Sequence, residues 1–303
     1  MLTPLDLPTT KPSKMIFTFH PKEVNDSRLL SALRTAQMIA RQLHSDLIAI
    51  TLAAQADPSE TLHFEEQVGE SIETRFVIRP IEPEKSDVDI FLADPGLASA
   101  ELIVIVTHLP KSPIAGIFDH FGQMLFETSQ IPLLAIRAPE PPLESIRRIL
   151  FASDVSSKEH FFFRQAVEWA KAFGAELIVT TSLAGPWLID TTSIDGFGSV
   201  LAESDDQMTA QTRKAKATAK DWWQEASKLG VKTRFRIAAG LQKVASGSLE
   251  VANETGADLI VVRRTRSQGV ISTVIFGGTL EDLLAISKLP ILILASPNPE
   301  LSI

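Results

Sequence analysis

The sequence contains no cysteine and no tyrosine. Without cysteine the chain can have no disulfides, no thiol catalysis and no zinc site built from thiolates, and this composition is typical of a reducing compartment. Long hydrophobic runs are missing too: the apolar runs end after about 5 to 8 residues, which is strand length, whereas a membrane-spanning helix needs roughly 20. Residues 1–13 have the composition of a flexible tail and lack the apolar stretch of a signal peptide. We therefore expect a soluble, cytoplasmic protein with no membrane partner.

Positive charge is in short supply. Lysine and arginine total 29 against 37 aspartate and glutamate residues, which gives a formal net charge of -8. This balance argues against nucleic acid or an anionic membrane as the partner. The sequence also has no Ser/His/Asp order, paired-carboxylate motif or Walker loop, so it does not predict an enzyme. One local basic cluster stands out against this background, at residues 263–266 (RRTR).

The clearest pattern in the sequence is a repeat. Residues 101–107 (ELIVIVT) are answered by residues 258–264 (DLIVVRR), and residues 129–136 (SQIPLLAI) by residues 287–294 (SKLPILIL). Self-similarity at this spacing predicts two copies of one domain. The boundaries follow from the repeat and from a proline-rich segment that cannot continue a strand ladder. They are a tail at 1–13, a first copy at 14–138, a linker at 139–146 and a second copy at 147–297.

Each copy alternates short apolar strands with helical patterns and ends on a strand. Strands that are apolar on both faces indicate parallel sheets covered by helices. The predicted fold class is therefore α/β, with two tandem doubly wound domains, each a five-stranded parallel sheet with helices on both faces. In such domains ligands bind at the carboxyl ends of the strands, near the point where the strand order reverses.

Two local patterns in the second copy can be checked directly. Ser156 and Glu159 predict a capping box at the start of a helix, and Gly174 predicts the glycine cap at its end. In a later helix, one of Trp222 and Trp223 is predicted in the core and the other is predicted to be partly exposed.

The second copy also carries the motifs of a known family. Its strand at 258–262 (DLIVV), the glycines and threonine at 277–279 (GGT) and the strand at 288–293 (KLPILI) follow one another as in the universal stress protein family. Residues 14–296 resemble a tandem of two such domains, which implies an adenine nucleotide alpha hydrolase-like fold. The resemblance also implies that nucleotide-binding members contact adenosine through an aspartate after the first strand and hold phosphates with a loop, G-x2-G-x9-G-[ST], after the fourth. Glycines let the backbone approach phosphate oxygens, and the following helix N-terminus adds donors.

The first copy departs from this pattern at every position. Val106 and Leu109 align with the first two loop glycines, and Asp119 and His120 with the third glycine and the hydroxyl residue. His20 replaces the aspartate after the first strand. Because an aspartate at a helix N-terminus would repel a phosphate, we do not expect the first copy to bind ATP. The remnant pocket of the first copy comprises His20, His108, Asp119 and His120.

The second copy keeps more of the pattern. Asp154 occupies the aspartate position, although an aspartate after a strand also caps the following turn. One residue is inserted in the loop, so the first glycine position is Arg263 or Arg264 and the second is Arg266 or Ser267. These side chains predict either an anion site rebuilt from guanidinium groups or a solvated basic loop that fills the pocket. The candidate nucleotide or anion site comprises Asp154, Arg263, Arg264, Thr265, Arg266, Ser267, Gly277, Gly278 and Thr279.

Histidine suggests a separate hypothesis, since five of the six histidines lie in the first copy. His20, His108 and His120 map near its pocket mouth with Asp119, and three imidazoles with a carboxylate suit zinc if they converge. Otherwise they are polar groups satisfied within a collapsed pocket, and the site holds no metal. Convergence of these side chains would make the chain a metal-binding sensor.

We therefore predict a non-catalytic binding or signalling module of the stress response, with weak or altered nucleotide binding in the second copy and a protein partner. No cofactor is expected apart from ATP or AMP in the second copy. The alternative is an ATP- or AMP-binding protein with slow hydrolysis or self-phosphorylation on Thr265, Ser267 or Thr279. Because family members pair through their last strands, residues 133–136 and 291–294 are expected to pair within one molecule. Such pairing is also compatible with a homodimer.

Overall fold

A computed structural model of the chain describes residues 12–19, 27–53, 74–80, 87–93, 99–107, 122, 125–126, 128–137, 143–153, 155–156, 159–182, 210–238, 244–264 and 279–295. The chain divides into two compact units. The strands and helices of the N-terminal unit are β1 (Lys14–Phe19), α1 (Ser27–Leu43), β2 (Asp46–Ala53), β3 (Thr74–Pro80), α2 (Asp87–Leu92), β4 (Leu102–Val106) and β5 (Leu133–Ile136). Those of the C-terminal unit are β6 (Arg148–Ala152), α3 (His160–Phe173), β7 (Glu176–Ser182), α4 (Ala210–Lys228), β8 (Thr233–Ala238), α5 (Val244–Thr255) and β9 (Leu259–Arg263).

The last helix is divided between the units. Residues of α6 (Thr279–Ile286) up to Leu283 group with the C-terminal unit, and the rest of α6 and strand β10 (Ile291–Leu294) group with the N-terminal unit. The final strand of the second copy is thus counted with the strands of the first copy. No helix within the described ranges is both long enough and apolar enough to traverse a bilayer.

The sheet of the N-terminal unit has the strand order β3-β2-β1-β4-β5-β10. Its first five strands run parallel, whereas β10 runs antiparallel to β5, with Ile291 opposite Ala135 and Leu292 opposite Leu134. Buried aliphatic side chains fill β4, β5 and β10, as expected for strands covered on both faces. The strand order reverses between β1 and β4, so the candidate ligand position lies at the carboxyl ends of those strands.

The sheet of the C-terminal unit has the order β9-β6-β7-β8, and all its strands are parallel. Helices α3 and α4 contact each other, α4 contacts β8, and α5 contacts β6, β7 and β8. The order reverses between β6 and β9, which defines the candidate ligand position of this unit. The predicted α/β fold class with doubly wound parallel sheets is confirmed.

The repeated sequence has a structural explanation in paired side chains. Asp258 accepts the backbone N–H groups of Arg147 and Arg148 at 2.8 and 2.9 Å, and its counterpart Glu101 accepts the N–H of Ser13 at 2.5 Å. These carboxylates hold the start of β9 beside β6 and the start of β4 beside β1. A charge-assisted bond of this kind is about twice as strong as a neutral one, which explains an acidic residue at both positions.

The serines of the repeat are equivalent in the same way. The Ser129 hydroxyl accepts the N–H of Ile131 at 3.0 Å, and the Ser287 hydroxyl accepts that of Leu289 at the same distance. Each serine is buried and forms the turn that leads from a helix into the last strand of its copy. The echo in the sequence therefore reports two identical turns.

The two helix-end predictions for α3 have different outcomes. Gly174 adopts φ 63°, a left-handed conformation that suits glycine, and donates to Lys171 O at 3.1 Å, so the predicted C-terminal cap is confirmed. The capping-box prediction is wrong. Helix α3 begins at His160, with Glu159 as its N-cap, and the Glu159 side chain makes no capping hydrogen bond. The reason is that this carboxylate binds Arg263 instead.

The tryptophan prediction is confirmed. Trp222 on α4 is 2 % exposed, whereas Trp223 is partly exposed. The Trp222 ring stacks on Phe163 of α3, with ring centroids 4.4 Å apart and planes inclined by 12°. The pair stabilises the packing of the two helices, because it buries apolar surface and its stacked rings attract each other.

A charged cluster at the amino end of β7 makes stability depend on pH. Burial raises the pKa of the Glu176 carboxyl. Arg234 at 2.5 Å and Lys232 at 3.1 Å together lower it by more than burial raises it, so the pKa lies below its ordinary value of 4.5. A carboxyl whose pKa is lower in the folded state contributes stability above its unfolded pKa and loses it as the pH falls through the folded value. The free energy of unfolding should therefore fall more steeply below about pH 5 in the natural protein than in a Glu176→Gln variant. Urea titrations between pH 3 and 7 measure this, and Glu250→Gln on the exposed side of α5 is the control. Equal slopes in all three proteins would contradict the assignment.

Candidate functional site

The candidate site of the C-terminal unit begins with a strained turn after β6. Ser153 follows the strand, donates its N–H to Thr180 O at 2.9 Å, and accepts the N–H of Val155 on its hydroxyl at 3.0 Å. Val155 has φ 50°, in the left-handed region that a β-branched residue rarely adopts. Such a conformation costs roughly 1–2 kcal/mol and persists because the Ser153 hydroxyl and burial fix it.

Glu159 and Arg263 form an ion pair at the same end of the sheet. Arg263 is the last residue of β9, and Glu159 is the residue that precedes α3, the helix following β6. The Arg263 Nε lies 2.5 Å from the Glu159 Oε1, and the two side chains are 24 % and 2 % exposed. A carboxylate so well shielded from water requires a cation, because desolvation of an uncompensated charge is unfavourable by several kcal/mol. The guanidinium at the first loop position is thus held by an internal carboxylate.

Arg264 has a different role from its neighbour. Its side chain is only 4 % exposed, and it groups with the N-terminal unit. Its Nη1 donates to Phe126 O at 2.8 Å and its Nη2 to Ser129 O at 2.5 Å. These carbonyls lie at the end of the predicted helix over 117–128, which is helical at its described positions 122, 125, 126 and 128. Arg264 therefore binds backbone acceptors within the fold.

Backbone hydrogen bonds determine which arginine occupies the first glycine position. The N–H of Thr107 donates to Ile136 O, and the N–H of Arg264 donates to Leu294 O, both at 2.9 Å. Thr107 and Arg264 are therefore equivalent residues, and Arg263 is equivalent to Val106. If Val106 is aligned with the first loop glycine, as the resemblance implies, that position in the second copy is Arg263, and the inserted residue falls after Arg264.

Most of the other candidate residues lie outside the described part of the chain. These are Asp154, Thr265, Arg266, Ser267, Gly277 and Gly278 in the second copy, and His20, His108, Asp119 and His120 in the first. Thr279 is the first residue of α6, and its side chain is not described. No group of three or more metal-binding side chains occurs among the described residues, which include none of the three candidate histidines. The metal hypothesis therefore stays a prediction.

Glu159 is a residue of the candidate site that the sequence pattern does not identify. Its spacing from Ser156 is a local pattern that predicts a capping box. What identifies it is its tertiary partner. Glu159, before the helix that follows β6, faces Arg263, which the resemblance aligns with a loop glycine. In a doubly wound sheet these two positions meet at the strand-order reversal.

Comparisons with known proteins agree with the fold. No curated protein matches the chain. Among solved structures, a functionally unknown protein from Pseudomonas aeruginosa PAO1 is 15 % identical and has a TM-score of 0.60, with 94 % of this chain and 93 % of that chain covered. A universal stress protein from Archaeoglobus fulgidus DSM 4304 is 15 % identical with a TM-score of 0.59, covering 94 % and 97 %. A shorter match is the universal stress protein from Archaeoglobus fulgidus in complex with dAMP, 16 % identical with a TM-score of 0.34, covering 50 % and 98 %.

One family model matches the sequence, that of the universal stress protein family, over residues 145–295. This range contains every strand and helix of the C-terminal unit, together with α6 and β10. The chain therefore carries a universal stress protein family domain at residues 145–295.

Proposed function

We propose that the chain is a non-catalytic binding and signalling module of the universal stress type, whose second copy has lost most of its affinity for nucleotide phosphates. The ion pair between Glu159 and Arg263 is the observation that carries this proposal. It occupies the end of the sheet where the resemblance puts the phosphate loop, and it replaces a bare glycine backbone with a neutral pair of side chains.

The energetics of the pair favour weak phosphate binding. A phosphate that recruits Arg263 must compete with a carboxylate 2.5 Å away that is already in place. Separating one partner from a buried ion pair costs about 3–5 kcal/mol, which corresponds to a loss of roughly 100-fold or more in affinity. The carboxylate also repels an approaching phosphate.

Two further observations support the proposal. Arg264, the second arginine of the loop, directs both Nη groups to backbone carbonyls, so these donors are engaged inside the fold. The first copy has Val106 at the first glycine position, where a side chain replaces open backbone. We propose that this copy, too, is a universal stress-type domain and that it binds no ATP.

Binding measurements on the full chain test the proposal. Isothermal titration calorimetry with ATP and AMP, with and without magnesium, should give dissociation constants in the millimolar range or no heat. Glu159→Gln removes the competing charge with little change in shape, so it should bind ATP at least about 10-fold more tightly than the natural protein. Glu225→Gln makes the same charge change on the surface of α4, where Glu225 pairs with His160 and Arg164, and should leave the affinity unchanged.

Each of the two alternative functions, nucleotide hydrolysis and metal sensing, predicts a different experimental result. Micromolar ATP binding by the natural protein, or phosphate release that Thr279→Ala reduces, would overturn the proposal in favour of a nucleotide-hydrolysing or self-phosphorylating protein. Zinc retained by the untagged protein and lost in a His20→Ala variant would instead support the metal-binding sensor.

A further inference from the structure

We infer that Arg137 and Arg264 form a two-sided clasp in the N-terminal unit that holds the short strand β10 against β5. The clasp consists of these two guanidinium groups and the backbone carbonyls at the ends of two helices. It gives Arg264 a structural role through the carbonyls of Phe126 and Ser129.

The first side of the clasp is Arg264. Its backbone N–H binds Leu294 O, at the end of β10, while its side chain binds the carbonyls of Phe126 and Ser129. Those carbonyls belong to the helix end that leads into β5. Arg264 therefore ties the end of one strand to the helix that precedes its antiparallel neighbour.

The second side of the clasp is Arg137, which immediately follows β5. Its Nη1 donates to Ser287 O at 2.7 Å and to Ala285 O at 3.2 Å, and its Nη2 donates to Leu284 O. These carbonyls lie at the end of α6, which leads into β10. Burial lowers the pKa of the Arg137 guanidinium, in keeping with a donor group withdrawn from water into a set of carbonyls. A cation suits this position, because a helix C-terminus carries unsatisfied carbonyls and a partial negative charge.

The acceptors on the two sides are equivalent, but the donors are not. Ser129 corresponds to Ser287 in the repeat, and Phe126 to Leu284. Arg264, however, corresponds to Thr107, and Arg137 corresponds to Ala295. Arginine has thus been placed at two unrelated positions to bind one type of helix end. A requirement for the clasp explains why two non-equivalent arginines bind equivalent helix ends. A general preference for arginine at the surface does not explain it.

The strand itself shows why such a clasp is needed. Strand β10 has only four residues, and its register with β5 joins three residue pairs. Its attachment to the N-terminal unit therefore has few hydrogen bonds of its own. Charge-assisted bonds to the preceding helix end are stronger than neutral ladder bonds, so a few of them add substantially to so short a strand pairing.

Hydrogen–deuterium exchange of the full chain tests the clasp. The variants are Arg137→Met, Arg264→Met and the double variant, since methionine keeps an apolar stem and removes the donors. We expect the backbone amides of residues 291–294 to exchange about 10- to 100-fold faster in the double variant than in the natural protein, with smaller increases in each single variant. The amides of β7 are expected to keep their protection.

Arg148→Met is the matched control. Arg148 also donates to carbonyls at a helix end, those of Thr255 and Gly256 at 3.1 and 3.5 Å, but in the C-terminal unit. It should leave the exchange of residues 291–294 unchanged. The inference is overturned if residues 291–294 keep full protection in the double variant. It is also overturned if either the double variant or Arg148→Met increases the exchange of β7 and β10 to the same extent. If the double variant does not fold, the two single variants give the same comparison.

Discussion

Replacing Trp222 with alanine should lower the free energy of unfolding by about 3–5 kcal/mol. The ring is 2 % exposed and stacks on Phe163, so the substitution removes a large buried surface and leaves a cavity between α3 and α4. The stacked geometry adds roughly 0.5–1.5 kcal/mol to what burial alone contributes. Since native domains are stable by only about 5–15 kcal/mol, this one change should shift the urea midpoint by an easily measured amount.

The adjacent Trp223 provides the control for this prediction. It belongs to the same helix and has the same side chain, but it is partly exposed. Trp223→Ala should therefore cost less than about half as much as Trp222→Ala, because less apolar area is withdrawn from water at that position. Equal losses in the two variants, measured by urea unfolding followed by circular dichroism, would show that α4 does not present Trp222 to the core.

Arg263→Ala should destabilise the protein by a similar amount, about 3–5 kcal/mol. The substitution removes the cation that faces the buried Glu159 carboxylate at 2.5 Å. Most of the loss comes from desolvation of the remaining charge and little from the net value of the pair. The free energy of unfolding at pH 7, from urea titration, is the quantity to measure.

A double substitution separates this explanation from simple loss of side-chain volume. Glu159→Leu combined with Arg263→Met replaces the pair with apolar groups of comparable size, which in other buried pairs is often neutral or stabilising. We expect the double variant to recover most of the stability that Arg263→Ala loses. A double variant as unstable as the single variant would mean that packing, and not charge, accounts for the position.

The fold was predictable because it depends on local patterns. Alternating apolar strands and helical periodicity, together with the repeat at residues 101–107 and 258–264, lead directly to two doubly wound parallel sheets. The glycine cap at Gly174 was predictable for the same reason, since it needs only one residue and its conformation.

The site was less predictable, because its side chains have tertiary partners. Glu159 has the spacing of a capping residue, and only the meeting of β6 with β9 shows that it faces Arg263. Arg264 looks like its neighbour in the sequence, yet its acceptors lie about 135 residues away along the chain. The candidate histidines His20, His108 and His120 and most of the arginine loop lie outside the described residues and stay predictions.

The consecutive arginines at the end of β9 also restrict where this loop can change its length. Arg263 faces Glu159, while Arg264 reaches Phe126 and Ser129, so a residue added or deleted before Arg264 would shift at least one of these side chains away from its partners. The one extra residue of the second copy falls after Arg264, where neither attachment is disturbed. Loop grafts, tags or cleavage sites should therefore be inserted after Arg264. The spacing between β9 and the Arg263-Arg264 dipeptide is then kept, and with it both sets of contacts.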